Sequence, residues 1–264
     1  MIEIKERSKR EEEEMIRSPL EQFEIVPLIP MRLGRLDITF TNSSLMMVVS
    51  VLLIVMLVKM IGSNGGRLVP SRWQSVVESI YKMVVQMSNE SIGAKGGEYI
   101  VMIFSLFSMI LAMNMLGMIP YSYTVTSQLV VTMTLSMGVW IGKLMVGMRN
   151  HGLKLFGMFI PAGAPFAMVP FFVFIEIIGF IIPMISLAVR LFANMMAGHI
   201  LLKVLFGFAW TMMMGGGIMF IAQFVPLGVL FILLGLETAV GLIQAYVFTL
   251  LTCLYIGDMI NGGH

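Results

Sequence analysis

Two apolar runs, 165–208 and 218–256, each about 40 residues long and separated by Met212-Met213-Met214-Gly215-Gly216-Gly217, constrain this chain more than any other feature. A helix of about 40 residues is about 60 Å long, twice the roughly 30 Å hydrocarbon core of a bilayer. Each run therefore either folds back as two spans or forms one strongly tilted helix. Neither run contains a polar Gly/Asn/Pro cluster suited to a mid-run turn, and Pro183 and Pro226 can bend a helix without ending it. The triglycine is the one credible turn, so residues 156–264 are expected to form a hairpin of two long tilted helices. Composition excludes a soluble domain: 58% of residues are hydrophobic and 12% charged, against about 45–50% and 25% in soluble domains. A net charge of +2 provides no basic field for nucleic acid. The single cysteine, Cys253, rules out a disulfide framework and a multi-cysteine metal centre. No cofactor and no metal site are expected.

The first part of the chain reads as three shorter spans, at about 45–61, 99–119 and 125–142. Between the first two, after Pro70-Ser71, the residues Trp73, Val76, Val77, Ile80, Val84 and Met87 recur at helical spacing among polar neighbours. That pattern predicts an amphipathic helix at about 71–90, lying in the membrane interface. Pro120-Tyr121 closes a short loop that leaves room only for an antiparallel return. Residues 1–37 hold nine of the 15 acids and seven of the 17 bases, the composition of a solvated, partly disordered tail. The 62–98 connection carries Arg67, Arg72, Lys82 and Lys95, and the connection after the third span carries Lys143, Arg149 and Lys154. The Pro120 turn has no base. By the positive-inside rule the basic connections face the cytoplasm or matrix, which puts the N-terminus on the outer side. The fold class expected is an all-α integral membrane protein, with three spans and a surface helix followed by the long hairpin.

Beyond Lys154 the only formally charged side chains are Glu176, Arg190, Lys203, Glu237 and Asp258. Ionisable groups in apolar runs are costly and mark functional sites by default. In an antiparallel hairpin facing residues share a midpoint, which tests the turn assignment. Arg190 with Gln244, and Glu176 with Asp258, are both centred on residue 217; His199 with Glu237 is centred on 218. At about 100° per residue, Glu176, Ser186, Arg190 and Asn194 lie within roughly 40° of one line. On the second helix Glu237, Gln244 and Asp258 recur at multiples of seven residues. His199 lies about half a turn away from the Arg190 line, so its pairing with Glu237 calls for a bend, a water or another helix.

The constellation is an acidic pair near one end, an imidazole with a carboxylate near the other, and an arginine between them. Carboxylates and histidine exchange protons near neutral pH once their surroundings shift them, which suits two wet proton entrances. Arginine stays protonated, so Arg190 is a fixed charge and no relay. Asn114, in the second span, is either a helix-to-helix hydrogen bond or part of a path. An ion-coupled secondary transporter is the competing reading, but such proteins show repeats and broken helices that are not seen in this sequence. A purely structural respiratory subunit would have no reason to align acid, arginine and imidazole along one hairpin.

The run Ser186-Leu187-Ala188-Val189-Arg190-Leu191-Phe192-Ala193-Asn194-Met195-Met196-Ala197-Gly198-His199 resembles the signature of subunit a of F-type ATP synthases. Supporting blocks are Ser18-Pro19-Leu20-Glu21-Gln22-Phe23, Asn114-Met115-Leu116-Gly117-Met118-Ile119-Pro120-Tyr121, and Glu237 with Gln244-Ala245-Tyr246-Val247-Phe248. The resemblance implies a proton-channel subunit that performs no nucleotide chemistry and packs its hairpin against a ring of c subunits. It implies that Arg190 meets each ring carboxylate, with Gln244 beside it. Asn194 and Ser186 would lie near an inner access path, with Glu176 and Asp258 further along. His199 and Glu237, with Asn114, would line the outer path. Partners implied are the c-ring, the peripheral stalk, other membrane subunits of the synthase, lipid and protons. Imidazole at 199 with carboxylate at 237 is similar to mitochondrial members, which implies the mitochondrial inner membrane, a bacterial plasma membrane being the alternative. The chain departs from the family where Ile182-Pro183-Met184 lacks a base, and where Gln128 stands in place of histidine.

Overall fold

Apolar backbone without water to bond it must satisfy its own N–H and C=O groups, and helices do this within one segment. The computed structural model describes residues 23–33, 36–37, 39–62, 72–119, 122–152 and 168–261. Most of the expected tail, the Pro70-Ser71 helix start, the Pro120-Tyr121 turn, Lys154 and the start of the 156–264 region lie outside the described residues. The helices are α1 (Asn42–Gly62), α2 (Arg72–Ile92), α3 (Ile100–Gly117), α4 (Leu129–His151), α5 (Val169–Met214), α6 (Ile218–Ala222) and α7 (Phe224–Asn261). Short 3₁₀ turns, Gly93–Glu98 and Val125–Ser127, precede α3 and α4. Among the described residues five segments are long and apolar enough to cross a membrane: Asn42–Lys59, Ile100–Gly117, Leu129–His151, Val169–Met214 and Ile218–Ile260. The protein is an all-α integral membrane protein.

The chain does reverse at the triglycine. Gly216 and Gly217 have φ of 62° and 57°, a left-handed conformation that side chains resist, and they separate α5 from α6. The 46-residue α5 runs unbroken through Pro183. Pro183 cannot donate to the carbonyl of residue 179, and α4 ties the helix on either side: Ser136 Oγ donates to the Met184 carbonyl at 2.5 Å and Trp140 Nε1 to the Phe180 carbonyl at 3.3 Å. The second run is not one continuous helix. It breaks at Gln223 between α6 and α7, because Pro226 has no N–H for the Ala222 carbonyl one turn back and its ring crowds that carbonyl.

The central element is α7, which packs against α2, α3, α4 and α5. It contributes Ala245, Phe248, Cys253 and Ile256 to the core, where they meet Val84 and Met87 of α2, Ile103, Phe107 and Ile110 of α3, and Leu187 and Leu191 of α5. The amphipathic helix thus directs the second half of its apolar stripe at protein, while Trp73 and Val76 in its first half are exposed. Ahead of α1, two short antiparallel pairs form a ribbon: β1 (Pro27–Ile29) with β4 (Phe40–Thr41), and β2 (Arg32–Leu33) with β3 (Leu36–Asp37). The tail expected to be solvated over residues 1–37 is therefore structured at its end. Thr41 caps α1, its Oγ1 accepting from the Ser44 N–H at 3.4 Å, and the Asn42 amide N–H reaches back to the Val26 carbonyl at 3.2 Å.

Close packing of α7 on α2 depends on Gly257, where an added Cβ would overlap the Ser91 carbonyl. Gly257→Ala is expected to destabilise the protein by about 1–3 kcal/mol, measured as a lower unfolding midpoint in detergent. Gly228→Ala, on the same helix with nothing within 4 Å of the new Cβ, is expected to leave that midpoint unchanged or slightly higher.

Candidate functional site

The hairpin carries two rows of polar side chains, Glu176, Ser186, Arg190, Asn194 and His199 on α5 and Glu237, Gln244 and Asp258 on α7, of which His199 meets Glu237 and Asn194 meets Gln244. Near the turn, His199 Nε2 lies 3.6 Å from Glu237 Oε1. The pair meets directly, with no third helix between the two side chains. Gly198 makes the approach possible, since a Cβ there would stand 2.5 Å from Glu237 Oε1. Glu237 is buried, 5% exposed, and neither carboxylate oxygen accepts a hydrogen bond from a described residue. A carboxylate so placed carries a large desolvation cost for its charge.

A threonine completes this end. Thr124 Oγ1 is 2.9 Å from His199 Nε2 and 3.3 Å from the Gly117 carbonyl. The hydroxyl has one proton; directed at Gly117, it leaves the oxygen to accept from the imidazole Nε2–H. The same ring nitrogen therefore sits between a hydroxyl and a carboxylate. Neighbouring Tyr123 donates to the Phe23 carbonyl at 3.3 Å and is itself bonded by Gln128. Burial raises the Tyr123 phenol above its ordinary value, with the Gln128 bond opposing, so it remains a neutral donor. Gln128, where the family pattern suggested histidine, also accepts from Ser43 Oγ at 3.0 Å.

Along the hairpin, Asn114 Nδ2 of α3 donates to the Gly241 carbonyl at 3.0 Å, between the levels of Glu237 and Gln244. Its Oδ1 is buried without a partner among the described residues, as are Thr126 Oγ1 and Gln244 Nε2. Asn194 Nδ2 donates to Gln244 Oε1 at 3.2 Å. Gln244 is thus held by Asn194, one turn from Arg190, the residue that a midpoint of 217 sets opposite it. Arg190 and Ser186 are exposed on the outward face of α5, beside exposed Ile185 and Val189. Among the described residues Arg190 forms no ion pair; the Tyr255 phenol of α7 lies within its electrostatic range.

At the other end Glu176 and Asp258 are both exposed, each about one helical turn from an aromatic residue, Phe180 and Tyr255 respectively, that Lys143 contacts. Lys143 was read above as a loop base that sets orientation. Instead it lies inside α4, 9% exposed, with Nζ 4.1 Å from the Phe180 ring centroid and 5.0 Å from that of Tyr255. A signal for it was present: Thr132, Ser136, Val139, Lys143 and Gly147 recur at helical spacing as the buried stripe of α4. Thr124 had no comparable signal, because a loop hydroxyl has no period. Among the described residues no group of three His, Cys, Asp or Glu could hold a metal ion.

Long apolar helices that hold an ionisable pair, His199 with Glu237, between two of them define a membrane protein with titratable groups inside its spans. The family model described as ATP synthase A chain matches residues 44–257. Proteins named ATP synthase subunit a are similar to this chain: that of Marchantia polymorpha is 47% identical over 247 residues, 92% of this chain and 98% of the relative. That of Chondrus crispus is 44% identical over 247 residues, covering 94% and 97%. That of Parvibaculum lavamentivorans is 45% identical over 246 residues, covering 93% and 94%. The chain belongs to the ATP synthase A chain family. It is a membrane-sector subunit with a proton-channel role, and the catalytic chemistry of the synthase belongs to another subunit.

Gly198→Ala tests the approach of α5 to Glu237. Alanine favours the helix, but its methyl displaces the carboxylate, so proton-driven ATP synthesis by the assembled complex is expected to fall on the order of tenfold or more. Gly235→Ala, where the added Cβ meets nothing within 4 Å, is expected to leave that rate unchanged.

Proposed function

We propose that this chain forms two proton half-channels and a fixed arginine that couple proton flow to rotation of a c-subunit ring, and thereby to ATP synthesis. The observation that carries this reading is Arg190: a permanently protonated side chain exposed on an apolar helix face, with no carboxylate among the described residues paired to it. A charge presented to lipid is costly, so that face calls for an anionic partner from outside the chain. A carboxylate on each ring subunit, passing in turn, supplies it.

Protons enter past His199 and Glu237, with Asn114 beside them, and neutralise a ring carboxylate. The ring turns through lipid, and the proton leaves past Glu176 and Asp258. Ser186 and Asn194 flank the inner approach, and Asn194 holds Gln244 next to the arginine. Arg190 forces each arriving carboxyl to ionise and blocks direct passage between the two paths. Each proton moved through 100 mV yields about 2.3 kcal/mol. The chain works with the c-ring, the peripheral stalk and other membrane subunits of the synthase. It resides in the mitochondrial inner membrane, N-terminus toward the intermembrane space and C-terminus toward the matrix, with the basic connections inside.

Replacing Arg190 by Ala removes an attraction worth about 4 kcal/mol at 4 Å and an effective dielectric of about 20. Proton-driven ATP synthesis in the assembled complex is expected to fall by about a thousandfold. Intact synthesis by an assembled Arg190→Ala complex refutes the reading.

A further inference from the structure

Among the described residues the imidazole of His199 makes one hydrogen bond, and it goes to Thr124, a residue that the roles above leave unused. His199 Nε2 lies 3.6 Å from Glu237 Oε1, beyond hydrogen-bond reach, but 2.9 Å from Thr124 Oγ1. Glu237 therefore attracts the ring without orienting it, and the threonine supplies the orientation.

Thr124 is itself held through its carbonyl, its hydroxyl and its methyl. The carbonyl accepts from the Ser127 amide at 3.3 Å and from Ser127 Oγ at 2.6 Å. The hydroxyl donates to the Gly117 carbonyl at 3.3 Å. The methyl occupies the space that glycine leaves open at 117, where an added Cβ would stand 2.7 Å from Thr124 Cγ2. Residues on either side tie the segment down, Tyr123 through the Phe23 carbonyl at 3.3 Å and Gln128 through Ser43 Oγ at 3.0 Å. A β-branched side chain has few rotamers. With the methyl on Gly117 and the residue 5% exposed, Oγ1 is fixed toward α5.

A hydroxyl suits this position for a chemical reason. Nε2 alternates between a protonated and a bare form as an imidazole exchanges protons through it. The Thr124 hydroxyl accepts from Nε2–H while its own proton rests on the Gly117 carbonyl, and on turning it donates to bare Nε2. A carbonyl in its place could only accept, and an amide N–H could only donate. The titratable group that meets the ring is Glu237 of α7, while the Tyr123 phenol next to Thr124 is engaged with the Phe23 carbonyl and Gln128. We infer that Thr124 is a positioning residue of the entry path, whose hydroxyl holds the His199 imidazole beside Glu237 in both states of Nε2. The ring then exchanges a proton with the carboxylate without losing its orientation.

The inference rests on the reading that protons enter past His199 and Glu237, and one set of variants separates the two failures. The assembled synthase in liposomes makes ATP at fixed potential, with entry-side proton concentration low enough that the rate follows it. Thr124→Val keeps the branched shape and removes the hydroxyl, and is expected to slow synthesis on the order of tenfold. Thr124→Ser keeps the hydroxyl and drops the methyl, and is expected to recover most of the rate. A role in packing alone gives the reverse order, with Thr124→Val fast and Thr124→Ser slow. That order overturns the proposal, as does equal slowing of the two variants. Failure of Thr124→Val and Thr124→Ala to assemble, with or without Thr124→Ser, assigns the threonine to the fold and also overturns it. His199→Ala and Glu237→Gln are measured alongside. If either slows synthesis while Thr124→Val does not, only the role of Thr124 falls. If neither does, entry past this pair falls and the threonine proposal with it.

Discussion

The close approach of α5 to Glu237 at Gly198 is the constraint on which the rest of the structure depends. A buried carboxylate between two long helices is costly in apolar surroundings, and it is tolerated because the missing side chain at Gly198 lets an imidazole from the same helix reach it. Once that contact is made, the register of the hairpin is set. Asn194 reaches Gln244 at 3.2 Å one further step along, and Arg190 is left on the outward face. The positions of the polar groups are therefore linked: moving one by a turn would break the others.

Support for this geometry comes from helices that carry no part of the hairpin. The α3 helix bonds the α7 backbone through Asn114, and α4 bonds the carbonyls flanking Pro183 through Ser136 and Trp140. In lipid there is little hydrophobic drive between helices, so close backbone approach and side-chain hydrogen bonds do more of the holding. That explains why so many of the interhelical contacts are polar side chains on backbone carbonyls. A lysine in α4 is accommodated against the faces of Phe180 and Tyr255, which attract its ammonium.

Much of the architecture was legible before any coordinates. Run length against bilayer thickness required tilted helices, and the triglycine identified the turn, because only glycine takes φ of 62° and 57° at no steric cost. Pairing about a midpoint near residue 217 came close to what forms: His199 with Glu237 is centred on 218, and Asn194 with Gln244 on 219. The β ribbon ahead of α1, the break at Gln223 and the inward turn of Lys143 were not read. The ribbon pairs residues with no strong alternation, and the break follows from a proline three residues later that was taken as a bend.

The sequence by itself determined that the chain is a bundle of apolar helices with a long hairpin and few, deliberately placed charges. Those properties depend on length, composition and local period, which need no partner to be read. The tertiary structure decided which groups touch: Thr124 with His199, Asn194 with Gln244, Lys143 with the aromatic rings of α5 and α7. Each of these joins residues at least 50 positions apart or from different helices, and helical period fixes only the face a residue occupies. Which face meets which depends on where glycines allow backbones to close and on how prolines redirect the chain. That is a property of the packed whole, and a one-residue slip in it would exchange every partner in the path.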